Sequence, residues 1–139
     1  MKRIVLDTNV LVAAGRSRNG ASYRLVERIG PHAGFQLAVS VPLVLEYEMA
    51  LKRSTELAAV DVEAIVDYIC SVADRQEIYF LWRPFLKDPA DEMVLEVAVG
   101  AGVDCIVSFN AGDFQGVEEK FGIPVLTPGA FLRVLEAET

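Results

Sequence analysis

Two short stretches, "RIVLD" and "DCIVS", are apolar at every interior position and not at every second one: Ile4, Val5 and Leu6 in the first, Cys105, Ile106 and Val107 in the second. Unbroken apolar runs of this length suit strands covered on both faces, which is the condition of strands in parallel sheets. Weaker strand signals lie at 35–39, 78–81 and 123–126, giving five strands with 2–6 and 104–108. Helical periodicity fills the intervals at 10–14, 20–29, 42–53, 60–73, 89–101 and 128–137. Pro42, Pro89 and Pro128 stand near helix starts, where a missing amide hydrogen is harmless, and Gly30 and Gly102 follow helical runs and suit left-handed caps. Such alternation predicts an α/β fold with a mainly parallel sheet between helical layers, whose ligands collect beyond the carboxyl ends of the strands.

No repeat, low-complexity tract or linker interrupts the 139 residues, and with 53% hydrophobic and 24% charged residues one domain over 1–139 is expected. Lys2 and Arg3 precede an apolar run, but Asp7 and Asn9 break it, which argues against a secretory signal. No apolar stretch is long enough for a membrane helix. Cys70 and Cys105 lie apart in apolar contexts and read as two buried free thiols in a reducing cytoplasm. A net charge of −7 counts against a nucleic-acid partner unless part of that charge is gathered at a cation site.

Asp7 is where the charge becomes informative. It ends a strand buried on both faces, and an ionised carboxylate there needs a partner or a cation. Three more acids stand at comparable places. Glu46, in "SVPLVLEYEMALKR", edges the apolar stripe of Leu43, Tyr47, Ala50 and Leu51; an ion pair with Arg53 or Arg24 is the ordinary account. Asp91, in "KDPADEMVLEVAVGAG", is the third residue of a helix capped by Asp88, where a carboxylate complements the helix terminus. Its spacing to Val94, Leu95 and Ala98 turns it to the buried face, whereas Glu92 and Glu96 lie farther round. Asp113 closes "SFNAGDF", where Ser108 and Asn110 also offer oxygens; a simple turn explains all three equally well.

Four acids from four segments would repel one another if the fold gathers them, and a divalent cation relieves that. Oxygen donors without histidine or cysteine select Mg²⁺ or Mn²⁺, and the only histidine, His32, reads as a solvated loop residue. Among cations, Arg16 and Arg18 flank the loop after the first helix and are candidate phosphate contacts. Lys52 and Arg53 end the Glu46 helix, where a favourable interaction with the helix terminus accounts for them. Tyr79, Phe80, Trp82 and Phe85 read mainly as core, with Trp82 and Phe85 also able to stack on a base.

Taken in order, "VLDTNVLVAA", "SVPLVLEYEMALKR", "DPADEMVLEVAVGAGVDCIVSFNAGDF" and "IPVLTPGAFL" resemble the successive signatures of a PIN domain, of the bacterial branch related to VapC-type toxins. The resemblance spans nearly the whole chain. It implies a PIN-like, Rossmann-like α/β/α sandwich and a metal-dependent ribonuclease acting on single strands, with Mg²⁺ or Mn²⁺ as one or two ions. The acidic quartet carries over as Asp7, Glu46, Asp91 and Asp113, with Asn9, Ser108 and Asn110 in support. Asn110 stands where many members have an aspartate, leaving Asp113 as the fourth acid and less charge at a second metal position. The resemblance also implies a homodimer and a cognate antitoxin. Two alternatives stand beside it. An aspartate after a first strand also serves phosphatases of the haloacid-dehalogenase kind and response-regulator receivers, though neither a second aspartate beside it nor a lysine after a later strand is present. A non-catalytic PIN-like module binding RNA or protein is the other.

Overall fold

The computed structural model describes residues 1–77 and 85–138. The strand expected over 78–81, and with it Tyr79, Phe80 and Trp82, lies outside the described residues.

Five parallel strands form the sheet: β1 (Lys2–Leu6), β2 (Phe35–Val39), β3 (Asp74–Arg75), β4 (Cys105–Val107) and β5 (Val125–Leu126), in the order β3-β2-β1-β4-β5. Ile4, Val5 and Leu6 are all fully buried. Successive strand side chains point to opposite faces, so burial of all three means that both faces of β1 are covered. The register sets Ile4, Val5 and Leu6 against Cys105, Ile106 and Val107, and the two unbroken apolar runs are therefore neighbours at the middle of the sheet.

The helices are α1 (Thr8–Arg16), α2 (Ala21–Val26), α3 (Val41–Ser54), α4 (Ala59–Val72), α5 (Pro89–Ala101), α6 (Val117–Phe121) and α7 (Pro128–Ala137). Caps act where short polar residues announce them: Ser40 Oγ accepts from the Leu43 amide, Asp88 from that of Ala90, and Thr127 from that of Ala130. Gly102 ends α5 in the left-handed conformation, as expected. Gly30 does not cap α2, which ends earlier at Val26. Its φ is +147°, and an added Cβ would lie 2.6 Å from the Tyr68 hydroxyl, so the glycine is there for close approach.

Two short elements escape the periodicity, a 3-10 turn at Ala111–Phe114 and α6. Five residues between Gly116 and Gly122 carry too little pattern to register as a helix. A further correction concerns the thiols: Cys105 is buried, but Cys70 is exposed. Among the described residues no helix is long and apolar enough to cross a membrane.

The order of the strands decides where a site forms. From β1 the chain goes to β2 on one side, and only later to β4 on the other, so the carboxyl ends of β1 and β4 flank the point where the winding reverses. Tyr47, buried on α3, donates its hydroxyl to the Leu6 carbonyl at 2.5 Å and ties that helix to the end of β1.

Candidate active site

Asp7 follows β1 directly, and its amide still donates to the Val107 carbonyl at 2.9 Å, so sheet pairing persists up to the acid. It occupies the N-cap position of α1 without making a capping hydrogen bond. Its Oδ2 instead accepts from Ser108 Oγ at 2.7 Å. Asn9 and Asn110 complete a small polar network: Asn9 Nδ2 donates to Ser108 Oγ at 3.4 Å, the Asn110 amide donates to the same oxygen at 3.0 Å, and the Phe109 amide donates to Asn9 Oδ1 at 3.4 Å. The residues after β4 thus form a turn and also hold Asp7, two roles that sequence could not separate.

Beyond these strand ends lies an open basin of about 590 Å³. Asp7, Asp91 and Asp113 line it, together with Asp88 and the supporting Asn9 and Asn110. Asp7 and Asp91 are buried, at 6% and 9% exposure, whereas Asp88 and Asp113 are exposed at the rim. Burial raises the Asp7 carboxyl above its ordinary value, and the nearby Asp113 adds to this; Ser108 is the main opposing influence. Asp91 is pushed up to about 7, by burial first and then by the charges of Asp7, Asp88, Asp113 and Glu92. Three chain segments therefore deliver carboxylates into one electrostatically coupled group.

Other expectations fare differently. Glu46 is half-buried on α3, one turn before Ala50; Ala50 lines the basin and Glu46 does not. Neither Arg53 nor Arg24 pairs with Glu46, which has no ion pair or hydrogen bond among the described residues. Arg16 lines the basin, while Arg18 lines a separate apolar groove with Leu11, Tyr23, Val26, Leu51 and Leu57. Glu92 does not lie farther round than Asp91 in exposure: it too is buried, and its Oε1 accepts from the amides of Phe85 and Leu86. His32 is exposed, as expected of a loop residue.

Sequence reasoning missed several lining residues, among them Asp88, Arg53 and Thr8. Asp88 was legible only as a cap. Arg53 had a sufficient explanation as a helix-terminal cation. Thr8 carries a hydroxyl that is buried without a hydrogen-bond partner among the described residues, and nothing in its type foretells that. The donor set is entirely oxygen, which fits a hard cation, and the orphaned Thr8 hydroxyl beside Asp7 is a further neutral oxygen in the same wall. Among the described residues, no three acidic, histidine or cysteine side chains close tightly enough to enclose an ion by themselves. This oxygen-only donor set is of the kind that suits Mg²⁺, which takes one or two carboxylates and keeps several waters.

Residues 3–112 match a family described as the PIN domain. The chain belongs to the PIN-domain family. Its fold is similar to that of VapBC2 from Rickettsia felis, solved bound to a DNA fragment from their promoter, with a TM-score of 0.61 over 90% of this chain and 98% of that one. Sequence identity is 13%, so this likeness is one of fold. No curated protein matches the chain. In this PIN domain the acidic basin occupies the strand ends at the topological switch point, where open α/β sheets bind ligands.

Proposed function

We propose that this PIN domain is a Mg²⁺- or Mn²⁺-dependent endoribonuclease, the toxin of a toxin–antitoxin pair. The observation that carries the reading is the convergence of Asp7, Asp91 and Asp113 in one basin, at electrostatic cost to the fold, with Asp91 near neutrality. A fold retains mutually repelling carboxylates most readily where a cation function employs them.

Asp7 and Asp91 would hold the ion, with Asp113 at the rim, and Glu46, outside the lining on α3, would orient water. When bound, such an ion supplies Lewis acidity toward a phosphodiester and an acidified water. Ser108 keeps Asp7 oriented and favours its ionised form through a charge-assisted hydrogen bond. Asp91, whose carboxyl burial and neighbouring charges push up to about 7, would be ionised when it holds the ion. Asn9 and the Asn110 amide fix the Ser108 hydroxyl from the other side. Hydrolysis proceeds without a covalent enzyme intermediate. Cys105 is buried with its thiol pushed up to about 12, and the exposed His32 makes no hydrogen bond to a serine or cysteine among the described residues.

A cognate antitoxin is the proposed protein partner, covering the apolar groove of about 530 Å³ that meets the basin at Arg16 and Ser17. A homodimer would use the exposed stripe of Val41, Leu45 and Met49, spaced four residues apart on α3. The deciding experiment is cleavage of total cellular RNA with Mg²⁺ or Mn²⁺, with end mapping, beside Asp91→Asn. Metal-dependent cuts by the parent alone are expected. Equal cleavage by both proteins would refute the site, and metal-induced thermal stabilisation without any cleavage would make the domain a binding module.

A further inference from the structure

The basin's lining carries both signs of charge. Beside the acids, the ends of α1 and α3 bring Arg16 and Arg53 to the same lining. These two cations are in different states. Arg16 Nε donates to the Ser54 carbonyl at 2.7 Å and so fastens α1 to the end of α3. Arg53 is exposed and has no hydrogen bond, ion pair or ring contact among the described residues.

The ordinary account of Arg53 as a helix-terminal cation weakens on inspection of that terminus. The Ser54 carbonyl is taken by Arg16, and the Leu51 carbonyl accepts from Thr55 Oγ1 at 2.6 Å. Arg53 caps neither. Nor is it paired with an acid of the basin, since no salt bridge among the described residues joins Arg53 to Asp7, Asp88, Asp91 or Asp113. Its neighbour Lys52 shows what an engaged cation here looks like, bridging Glu48 at 3.1 Å and Glu63 at 3.4 Å away from the basin.

We infer that Arg53 is a substrate-positioning residue: its guanidinium grips a backbone phosphate of single-stranded RNA next to the one being cut, and so holds the strand in the basin that Arg53 shares with the acids. This rests on the ribonuclease reading and deepens it. A planar fork of donors suits two phosphate oxygens at once, and an unpaired guanidinium gives up no existing contact to make them. In a chain of net charge −7, a cation with no partner among the described residues, on the same lining as the acids, favours entry of a polyanion there. Arg18, turned to the apolar groove, takes no part.

The test pairs Arg53→Gln with Lys52→Gln, Lys52 being outside the basin. Affinity for a single-stranded RNA oligonucleotide is read by anisotropy in Mg²⁺ on an Asp91→Asn background, so that the strand stays intact; turnover is read in the otherwise unchanged protein. Arg53→Gln is expected to weaken binding about tenfold and to reduce the dependence of log affinity on log salt by about 0.7, the share of one phosphate contact on a single strand. KM should rise in step, with kcat within about twofold and thermal stability unchanged. Arg53→Lys should restore the salt slope but only part of the affinity. Affinity and slope equal to those of Lys52→Gln would overturn the inference, even if the parent cleaves RNA and the ribonuclease reading stands. A fall in kcat at unchanged KM would also overturn it. Loss of RNA binding on Arg53→Gln in a parent that never cleaves would support the contact while refuting the nuclease.

Discussion

Ser108 donates its hydroxyl to Asp7 Oδ2 at 2.7 Å across 101 positions of sequence, joining the carboxyl ends of the two central strands. That bond both stabilises a buried charge and orients it. Ser108→Ala removes the donor and leaves the Asp7 carboxylate less satisfied, so stability at pH 7 should fall by about 1–2 kcal/mol. Ser108 opposes a pKa that burial raises above 3.8, so the loss should be largest where folded Asp7 is ionised and should fade as pH falls through that raised value, before 3.8 is reached. Urea denaturation at several pH values measures this.

Asp91 dictates a pH profile of the opposite kind to a salt-bridged acid. Its carboxyl is raised from 3.8 to about 7 in the folded chain. Between those values the folded protein holds a proton that the unfolded chain has released, so stability declines as pH rises through that window. Below it both states are protonated, and above it both are ionised. Asp91→Asn should flatten the decline and, allowing for solvent screening at the open basin, raise the neutral-pH melting temperature by about 3 °C. Thermal melts of both proteins from acid to neutral pH, without divalent ions, test it.

Relief of the same repulsion by a cation is the third expectation. Mn²⁺ at ten times its dissociation constant should stabilise the protein by about 1.4 kcal/mol, and chelation should reverse this. Asp7→Asn and Asp91→Asn should each lose most of the shift. An equal shift in both variants would place the ion elsewhere.

Glu46 offers a graded contrast, because it stands on α3 outside the basin's lining, one turn before the lining residue Ala50. Glu46→Gln is expected to lower kcat about 10²-fold while KM and the Mn²⁺-induced melting shift stay near those of the parent. Asp91→Asn should abolish turnover and the shift together. Steady-state kinetics beside melts separate a water-orienting acid from an ion-holding one.

Asp7 was legible because an unbroken apolar run stopped on a charge, and Asp91 because its spacing to Val94, Leu95 and Ala98 put it on the buried face of a helix. Periodicity failed for Glu92, whose burial comes from the Phe85 and Leu86 amides folding back onto it. Chain order likewise misjudged the arginines. Arg18 looked closer to the site than Arg53, yet the end of α3 reaches the basin and the loop after α1 turns Arg18 away.

Composition and local pattern alone determined the parallel α/β architecture, the burial of β1 and the oxygen-only chemistry of the acids, because these follow from what single segments can bury and cap. Which oxygens and cations share a basin was decided by tertiary structure. Strand order brings Ser108 to Asp7, and the α1 and α3 ends meet so that Arg16 is engaged while Arg53 has no partner among the described residues. Proximity between segments about 100 residues apart depends on crossover connections and long-range packing, and no local window of sequence encodes it.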